Sequence, residues 1–174
     1  MPDAATDQRI IYKGLKIDLA LQKVQLSNGS YANREVVLHP GAVALLVELP
    51  EDRICLIKNR RYSVRETLIE VPAGTMDPTE SPEETAVREL REETGYTGGT
   101  IERLGEWWVS PGVFNERMIL FRVRGAQPGT QELQPDEELE NLIVTWAEAL
   151  AMVTDGRIHD AKTMIALLIG SQRR

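Results

Sequence analysis

GTMDPTESPEETAVRELREETGY, residues 74–96, is the stretch whose reading decides the fold. Its second half carries helix punctuation at both ends. Ser81 is an N-cap, Pro82 suits the first helical position, and Glu84 stands where a capping box needs its acid. Gly95 stands where a left-handed residue stops a helix. At about 100° per residue, Glu89, Glu92 and Glu93 fall on one side of that helix. Ala86, Val87 and Leu90 fall on a different side and are expected to anchor it to a core.

Three carboxylates on one face repel, so a helix gains no stability from this arrangement alone. A hard divalent cation relieves the repulsion. Mg²⁺ takes oxygen ligands and typically bridges protein carboxylates to substrate phosphates. Arg88 reaches Glu92 at i+4 and Arg91 flanks the cluster, so some charge is held in register without metal.

Composition sets bounds. The 174 residues are enough for one domain with a real core. A net charge of −7 argues against a nucleic-acid binder, which would show a basic face. It is compatible with a phosphorylated small substrate, because bound metal inverts the local charge. The single cysteine, Cys55, lies in an apolar run and reads as a buried structural thiol. MPDAATDQR is polar and does not read as a secretory signal. No apolar run has the length of a membrane span. A cytoplasmic protein is expected.

Outward from the motif, the chain reads as strands followed by helices. Residues 1–9 are expected to fray. Residues 10–26 predict a strand, Ser27-Asn28-Gly29-Ser30 a hairpin turn, and 31–38 a returning strand. AVALLVEL (42–49) is a continuous apolar run, hence a buried strand, and 53–60 returns beside it after Pro50-Glu51-Asp52. LIEVPAG (68–74) predicts a short strand entering the motif. Further strands are expected at 101–109, 117–124 and 141–147. Helical spacing marks 147–154 and 160–170, the latter opening on Asp160 and closing at Gly170. His39 and His159 lack metal-ligand spacing and read as structural. Trp107, Trp108 and Trp146 read as core or interface. The pattern predicts an α+β, layered α/β/α domain.

The motif resembles the Nudix box, G-x5-E-x7-R-E-U-x-E-E-x-G-U with U a bulky apolar residue. Gly74, Glu80, Arg88, Glu89, Leu90, Glu92, Glu93, Gly95 and Tyr96 stand at those places. Seven of these are fixed identities, each expected at about one in fifteen, so chance gives the match at a given start less than about once in 10⁸. Tyr96 departs from the usual aliphatic residue and reads as a packing variant. The resemblance implies the Nudix fold, a mixed β-sheet between helices, with an N-terminal β-hairpin appendage. Residues 1–40 would then be N-terminal dimerisation strands, and 41–174 the hydrolase domain.

A second likeness narrows the class. Pro111 lies fifteen residues past Tyr96, in Ser110-Pro111-Gly112. A proline at that distance marks the ADP-ribose pyrophosphatase subfamily. Arg34-Glu35, Arg60, Glu70-to-Gly74 (E-x-P-A-G), Glu116, the acidic loop 137–140, the V-x-W strand and G-R-I-x-D-A follow the same order. The resemblance covers residues 10–170 and extends to hydrolases of GDP-mannose and other nucleoside diphosphate sugars.

What it implies is specific. Glu89, Glu92, Glu93 and the Ala73 carbonyl would bind Mg²⁺, or Mn²⁺ in its place. Arg88 would hold the carboxylates. Gly74 would let the backbone approach the phosphates. The catalytic base falls at Glu138 by position, with Glu140 as a base or metal partner and Glu137 the weaker choice. Arg60 and Glu116 are substrate contacts, and Arg34 and Glu35 match positions that reach the nucleotide across a homodimer. The expected reaction is Mg²⁺-dependent hydrolysis of ADP-ribose to AMP and ribose 5-phosphate. The runner-up is a broader nucleoside diphosphate sugar hydrolase. A non-catalytic nucleotide sensor comes third, because the box keeps every carboxylate and Arg88. Nucleic acid and membrane are not expected partners.

Overall fold

The computed structural model describes residues 7–135 and 137–173. The chain forms two compact units, one of residues up to Gly41 together with Trp107–Met118, the other of Ala42–Glu106 with the chain from Ile119 onward.

The first unit is a three-stranded antiparallel sheet of β1 (Asp7–Lys13), β2 (Asp18–Gln25) and β3 (Tyr31–Leu38), in that order. The hairpin expected at residues 27–30 is present, with Gly29 at φ 82°. The single strand expected over 10–26 is two strands. The Gly14 amide donates to the Ile17 carbonyl at 3.0 Å and to Asp18 Oδ1 at 3.2 Å, which closes a turn in the middle. Of the segment expected to fray, residues 7–9 pair within β1 and residues 1–6 lie outside the described residues. Val37 of β3 takes up the 107–118 segment: its amide donates to the Val113 carbonyl at 2.8 Å, and its carbonyl accepts from Asn115 at 3.1 Å.

The second unit is built on β4 (Ala42–Leu49) and β5 (Arg53–Arg61). Glu51 and Asp52 join them with φ of 60° and 58°, the left-handed pair that a tight hairpin needs. The run 42–47 is apolar throughout because both faces of β4 are covered. Val43, Leu45 and Val47 pack with Ala86 and Leu90 of the motif helix. Leu46 points the other way, to Gly170.

The strand expected at 68–74 is also two, β6 (Glu66–Glu70) and β7 (Ala73–Thr75). β6 pairs with β5 and β7 with β4, so the chain changes partner at Val71-Pro72. Proline lacks the amide that a continuing ladder would use. The Pro72 carbonyl instead accepts from the Leu45 amide at 2.8 Å.

The motif then forms α1 (Pro82–Glu89), followed by β8 (Thr100–Trp108), β9 (Arg117–Arg124), β10 (Leu139–Thr145), α2 (Trp146–Thr154) and α3 (Ala161–Gln172). The main sheet runs β10-β5-β4-β9-β8. The last strand stops at Thr145, short of the expected 147. Thr145 caps α2 with a capping box to Glu148, so Trp146 opens the helix. α3 passes through Gly170 instead of stopping there. A Cβ at Gly170 would overlap Leu46 Cδ2 and lie 2.8 Å from the Trp146 ring, so this glycine permits close packing of α3 on β4. Two helix-covered faces of one mixed sheet give the expected α/β/α layering. Among the described residues no helix is long and apolar enough to cross a membrane.

Candidate active site

The motif helix starts as expected. Ser81 accepts from the Glu84 amide, and Glu84 returns a bond to the Ser81 amide at 2.8 Å. Ala86 and Leu90 are buried, but Val87 is 57% exposed and anchors nothing. The helix end differs too. Leu90–Thr94 is a π-helical turn, with the Thr94 hydroxyl donating to the Leu90 carbonyl, before Gly95 at φ 75°.

The last helical carbonyls find partners outside the helix. Glu92 O accepts from the Glu132 amide at 3.0 Å, Glu93 O from Gln131 Nε2 at 2.6 Å, and Thr94 O from Asn141 Nδ2 at 2.8 Å. The acidic loop is therefore tied to the end of the motif helix on both of its flanks. A Cβ on Gly95 would lie 2.9 Å from the Gln131 amide, so Gly95 serves the loop as well as the turn.

Arg88 organises the carboxylates. Its Nη1 donates to Glu89 at 2.6 Å and Glu92 at 3.1 Å; its Nε donates to Glu80 at 3.0 Å and its Nη2 to the Thr75 carbonyl at 3.3 Å. Bonding to Arg88 holds the Glu80 carboxyl below its ordinary range. Glu93 sits apart from this cation. It is 3% exposed and accepts from the Ala73 amide at 2.7 Å. Burial, then the Glu89 charge, pushes its carboxyl up to about 8. Burial also raises Glu89, against the pull of Arg88. Gly74 closes the site: a Cβ there would overlap the Glu89 carboxylate.

These residues suit a hard divalent cation. Glu89 and Glu93 are two buried carboxylates one helical turn apart, each in the other's field, with oxygen as the only donor. Among the described residues no three acidic, histidine or cysteine side chains are already gathered for a metal. The Arg88 guanidinium holds Glu89 and Glu92 in its own grip, and Glu93 is turned to Ala73.

The acidic loop divides its residues. Glu138 accepts from the Tyr62 hydroxyl at 2.5 Å. Glu140 pairs with Lys58 Nζ at 2.6 Å. The charge of Glu137 raises both Glu89 and Glu93. Its carboxylate also accepts from the Gln134 amide at 2.9 Å. Arg60 lies on β5, its amide bonded to the Glu138 carbonyl at 3.0 Å.

The remaining expected contacts lie in the first unit. Arg34 and Glu35 stand on β3, both exposed, with Arg34 Nη1 donating to Asn33 O at 3.0 Å. Glu116 lies 3.9 Å from His39 Nδ1. That nitrogen accepts from the Gly41 amide at 3.0 Å, so it carries no proton toward Glu116. Burial lowers the His39 pKa.

Sequence reading missed a buried ionic group beside the site. Glu70, 1% exposed, accepts from Arg61 Nε at 2.8 Å, Arg61 Nη2 at 2.6 Å and Lys162 Nζ at 2.6 Å. Glu70 was visible as the first residue of Glu70-to-Gly74; nothing local marks Lys162.

A capped acidic helix under a glycine backbone, joined to a mixed sheet between helices, is the arrangement of the Nudix fold. The chain belongs to the NUDIX domain family, whose sequence model matches residues 37–167. It is 39% identical over 159 residues to the ADP-ribose pyrophosphatase of Bacillus subtilis (strain 168), covering 90% of this chain and 86% of that one. It is 36% identical over 159 residues to the methanol dehydrogenase activator of Bacillus methanolicus, with the same 90% and 86% coverage. A GDP-mannose pyrophosphatase of Pectobacterium atrosepticum is 41% identical over 106 residues, 58% of this chain and 53% of its own. Among solved structures, an ADP compounds hydrolase superposes with a TM-score of 0.84 at 21% identity, over 97% of this chain and 92% of the other.

Proposed function

We propose that this protein hydrolyses the diphosphate of ADP-ribose to AMP and ribose 5-phosphate, using Mg²⁺. The observation that carries the reading is the buried Glu89–Glu93 pair beneath the Gly74 backbone. The 39% identity to an ADP-ribose pyrophosphatase over nearly the whole chain supports the substrate.

Glu89, Glu92, Glu93 and the Ala73 carbonyl would hold the cation. Mg²⁺ held there would supply charge neutralisation for the diphosphate and greater acidity for nearby water. Arg88 orients Glu89 and Glu92 through its hydrogen bonds to both. Gly74 lets the diphosphate approach the backbone. Glu137 is the base: it takes a proton from the attacking water as a new P–O bond forms and the bridging P–O bond breaks. Its charge acts on Glu89 and Glu93 and its carboxylate is bonded to the Gln134 backbone amide, whereas Glu138 is engaged by the Tyr62 hydroxyl and Glu140 by the Lys58 ammonium. Arg60 and Glu116 are substrate contacts in this reading.

Residues 1–40 would serve dimerisation, and 41–174 the hydrolase. Exposed Ile10, Ile11 and Tyr12 on β1 support a homodimer, in which Arg34 and Glu35 reach the partner's nucleotide. The buried lone thiol of Cys55 suits a cytoplasmic location.

Similarity to a GDP-mannose pyrophosphatase favours a second reading, a broader nucleoside diphosphate sugar hydrolase. Phosphatase-coupled turnover with Mg²⁺ on ADP-ribose, GDP-mannose, UDP-glucose, diadenosine polyphosphates and nucleoside triphosphates separates the two. Dominant cleavage of ADP-ribose supports the proposal. Equal rates across the sugars select the second reading, and activity on triphosphates alone rejects both.

A further inference from the structure

The start of α3 is bonded to Glu70 and Val71, which lie two to three residues before Ala73 of the candidate metal site. Asp160 caps the helix by accepting from the Thr163 amide at 3.0 Å. It also accepts from the Thr163 hydroxyl at 2.6 Å. With its proton committed to Asp160, Thr163 Oγ1 accepts from the Val71 amide at 2.8 Å, across ninety-two residues of sequence. Thr163 and Val71 are both fully buried. Two residues on, the Ala73 amide holds Glu93. The Pro72 carbonyl between them is fixed by Leu45. A parallel route is ionic. Lys162 Nζ bridges Asp160 at 3.1 Å and Glu70 at 2.6 Å, and Glu70 accepts from the Nε–Nη2 edge of Arg61.

A buried ion group of this kind costs desolvation and is weak evidence for stability by itself. Here its members meet at one place. Glu70 and Val71 are where β6 ends, and the chain changes partner strand immediately before Ala73 and Gly74. Val71-Pro72 fall between the two ladders, where the Leu45 amide holds the Pro72 carbonyl and the Thr163 hydroxyl holds the Val71 amide.

We propose that Lys162 and Thr163 are positioning residues, which fix the Glu70–Ala73 segment and thereby place the Ala73 backbone and Glu93 for metal binding. This rests on the reading of Ala73 and Glu93 as metal ligands given above. Neither side chain is among the proposed metal ligands or substrate contacts. Thr163→Val keeps the shape and deletes the bridging hydroxyl; Thr163→Ser restores it. Lys162→Met removes the cation and keeps the stem.

The test is Mn²⁺ affinity, read by electron paramagnetic resonance of free Mn²⁺, alongside the thermal midpoint and ADP-ribose kinetics. Thr163→Val and Lys162→Met are each expected to weaken Mn²⁺ binding by about 10-fold, in the range seen for outer-shell partners of metal ligands. kcat is expected to fall more than KM changes, and Thr163→Ser to bind Mn²⁺ within about 2-fold of wild type. A lowered thermal midpoint with unchanged Mn²⁺ affinity in Lys162→Met would overturn the proposal and leave a purely structural role. Should Thr163→Val not fold, Lys162→Met decides alone. Wild type that binds Mn²⁺ but does not cleave ADP-ribose contradicts the substrate reading and leaves the affinity comparison intact.

Discussion

Gly74 lies against the carboxylate of Glu89 so closely that a single added methyl group would occupy the same space. The Gly74 backbone and the Glu89 carboxylate, to which the proposed function gives the diphosphate and the cation, are thus in contact. Gly74→Ala must push Glu89 out of its bond to Arg88. It is expected to lower kcat/KM at least about 100-fold, since misplacement of a catalytic group by about 1 Å has effects of that order. Steady-state turnover, with circular dichroism confirming the fold, checks this. Near-wild-type turnover would show that Glu89 can move freely.

Glu93 predicts a pH signature. Its carboxyl is pushed up to about 8 by burial and then by Glu89, from an ordinary value of 4.5. The folded state therefore binds this proton more tightly than the unfolded state. The stability it contributes is complete below about 4.5 and is lost as pH rises toward about 8. Metal-free protein should melt progressively lower across that window, and Glu93→Gln should flatten the slope. With Glu93 as a proposed ligand, a divalent cation would replace the proton, so Mg²⁺ should raise the melting temperature more at pH 8 than at pH 5. A flat pH profile for the metal-free wild type would contradict the buried-acid account.

Arg88 is expected to resist replacement by lysine. One planar guanidinium serves Glu80, Glu89, Glu92 and the Thr75 carbonyl. An ammonium keeps the charge but not the fork. Arg88→Lys should lose about 10- to 100-fold in kcat, on the scale of an outer-shell partner. Kinetics at saturating Mg²⁺ would show whether added metal compensates; full recovery would mean that Arg88 contributes charge alone.

The glycine in α3 gives a stability prediction independent of chemistry. Gly170→Ala places a methyl group against Leu46 and the Trp146 ring. Overpacking of this kind costs about 1–3 kcal/mol, more than the gain in helix propensity of about 1 kcal/mol. Urea denaturation should show a lower midpoint with unchanged slope.

Much of this was legible in local sequence because its causes are local. The Ser81–Glu84 box, the Gly95 stop and the continuous burial of β4 each follow from a few neighbouring residues. The errors have long-range causes. Gly170 looked like a helix stop, yet its role is set by Leu46 and Trp146 on other elements. LIEVPAG looked like one strand because the partner change at Pro72 depends on β4 and β5. Val87 was assigned to the core face, but only Ala86 and Leu90 meet the sheet. The acidic loop was the least legible part of the site. Glu138 and Glu140 are drawn to Tyr62 and Lys58, neither of which is near in sequence, while Glu137 stays bonded to Gln134 within the loop.

That separation makes a sharp comparison. Glu137→Gln should lower kcat by about 10²- to 10⁴-fold, the usual contribution of a general base. Glu140→Gln should cost little, because its exposed pair with Lys58 is worth at most about 1 kcal/mol. Kinetics of Glu137→Gln, Glu138→Gln and Glu140→Gln measured side by side check the ranking. A large loss confined to Glu138→Gln would return the base to the position first expected from sequence.

The most direct measurement is product identification by chromatography after incubating the wild-type protein with ADP-ribose, with Mg²⁺ and with chelator. The account predicts AMP and ribose 5-phosphate in equal amounts, only with metal. No AMP release with Mg²⁺ or Mn²⁺ present, from protein shown to be folded, would contradict it.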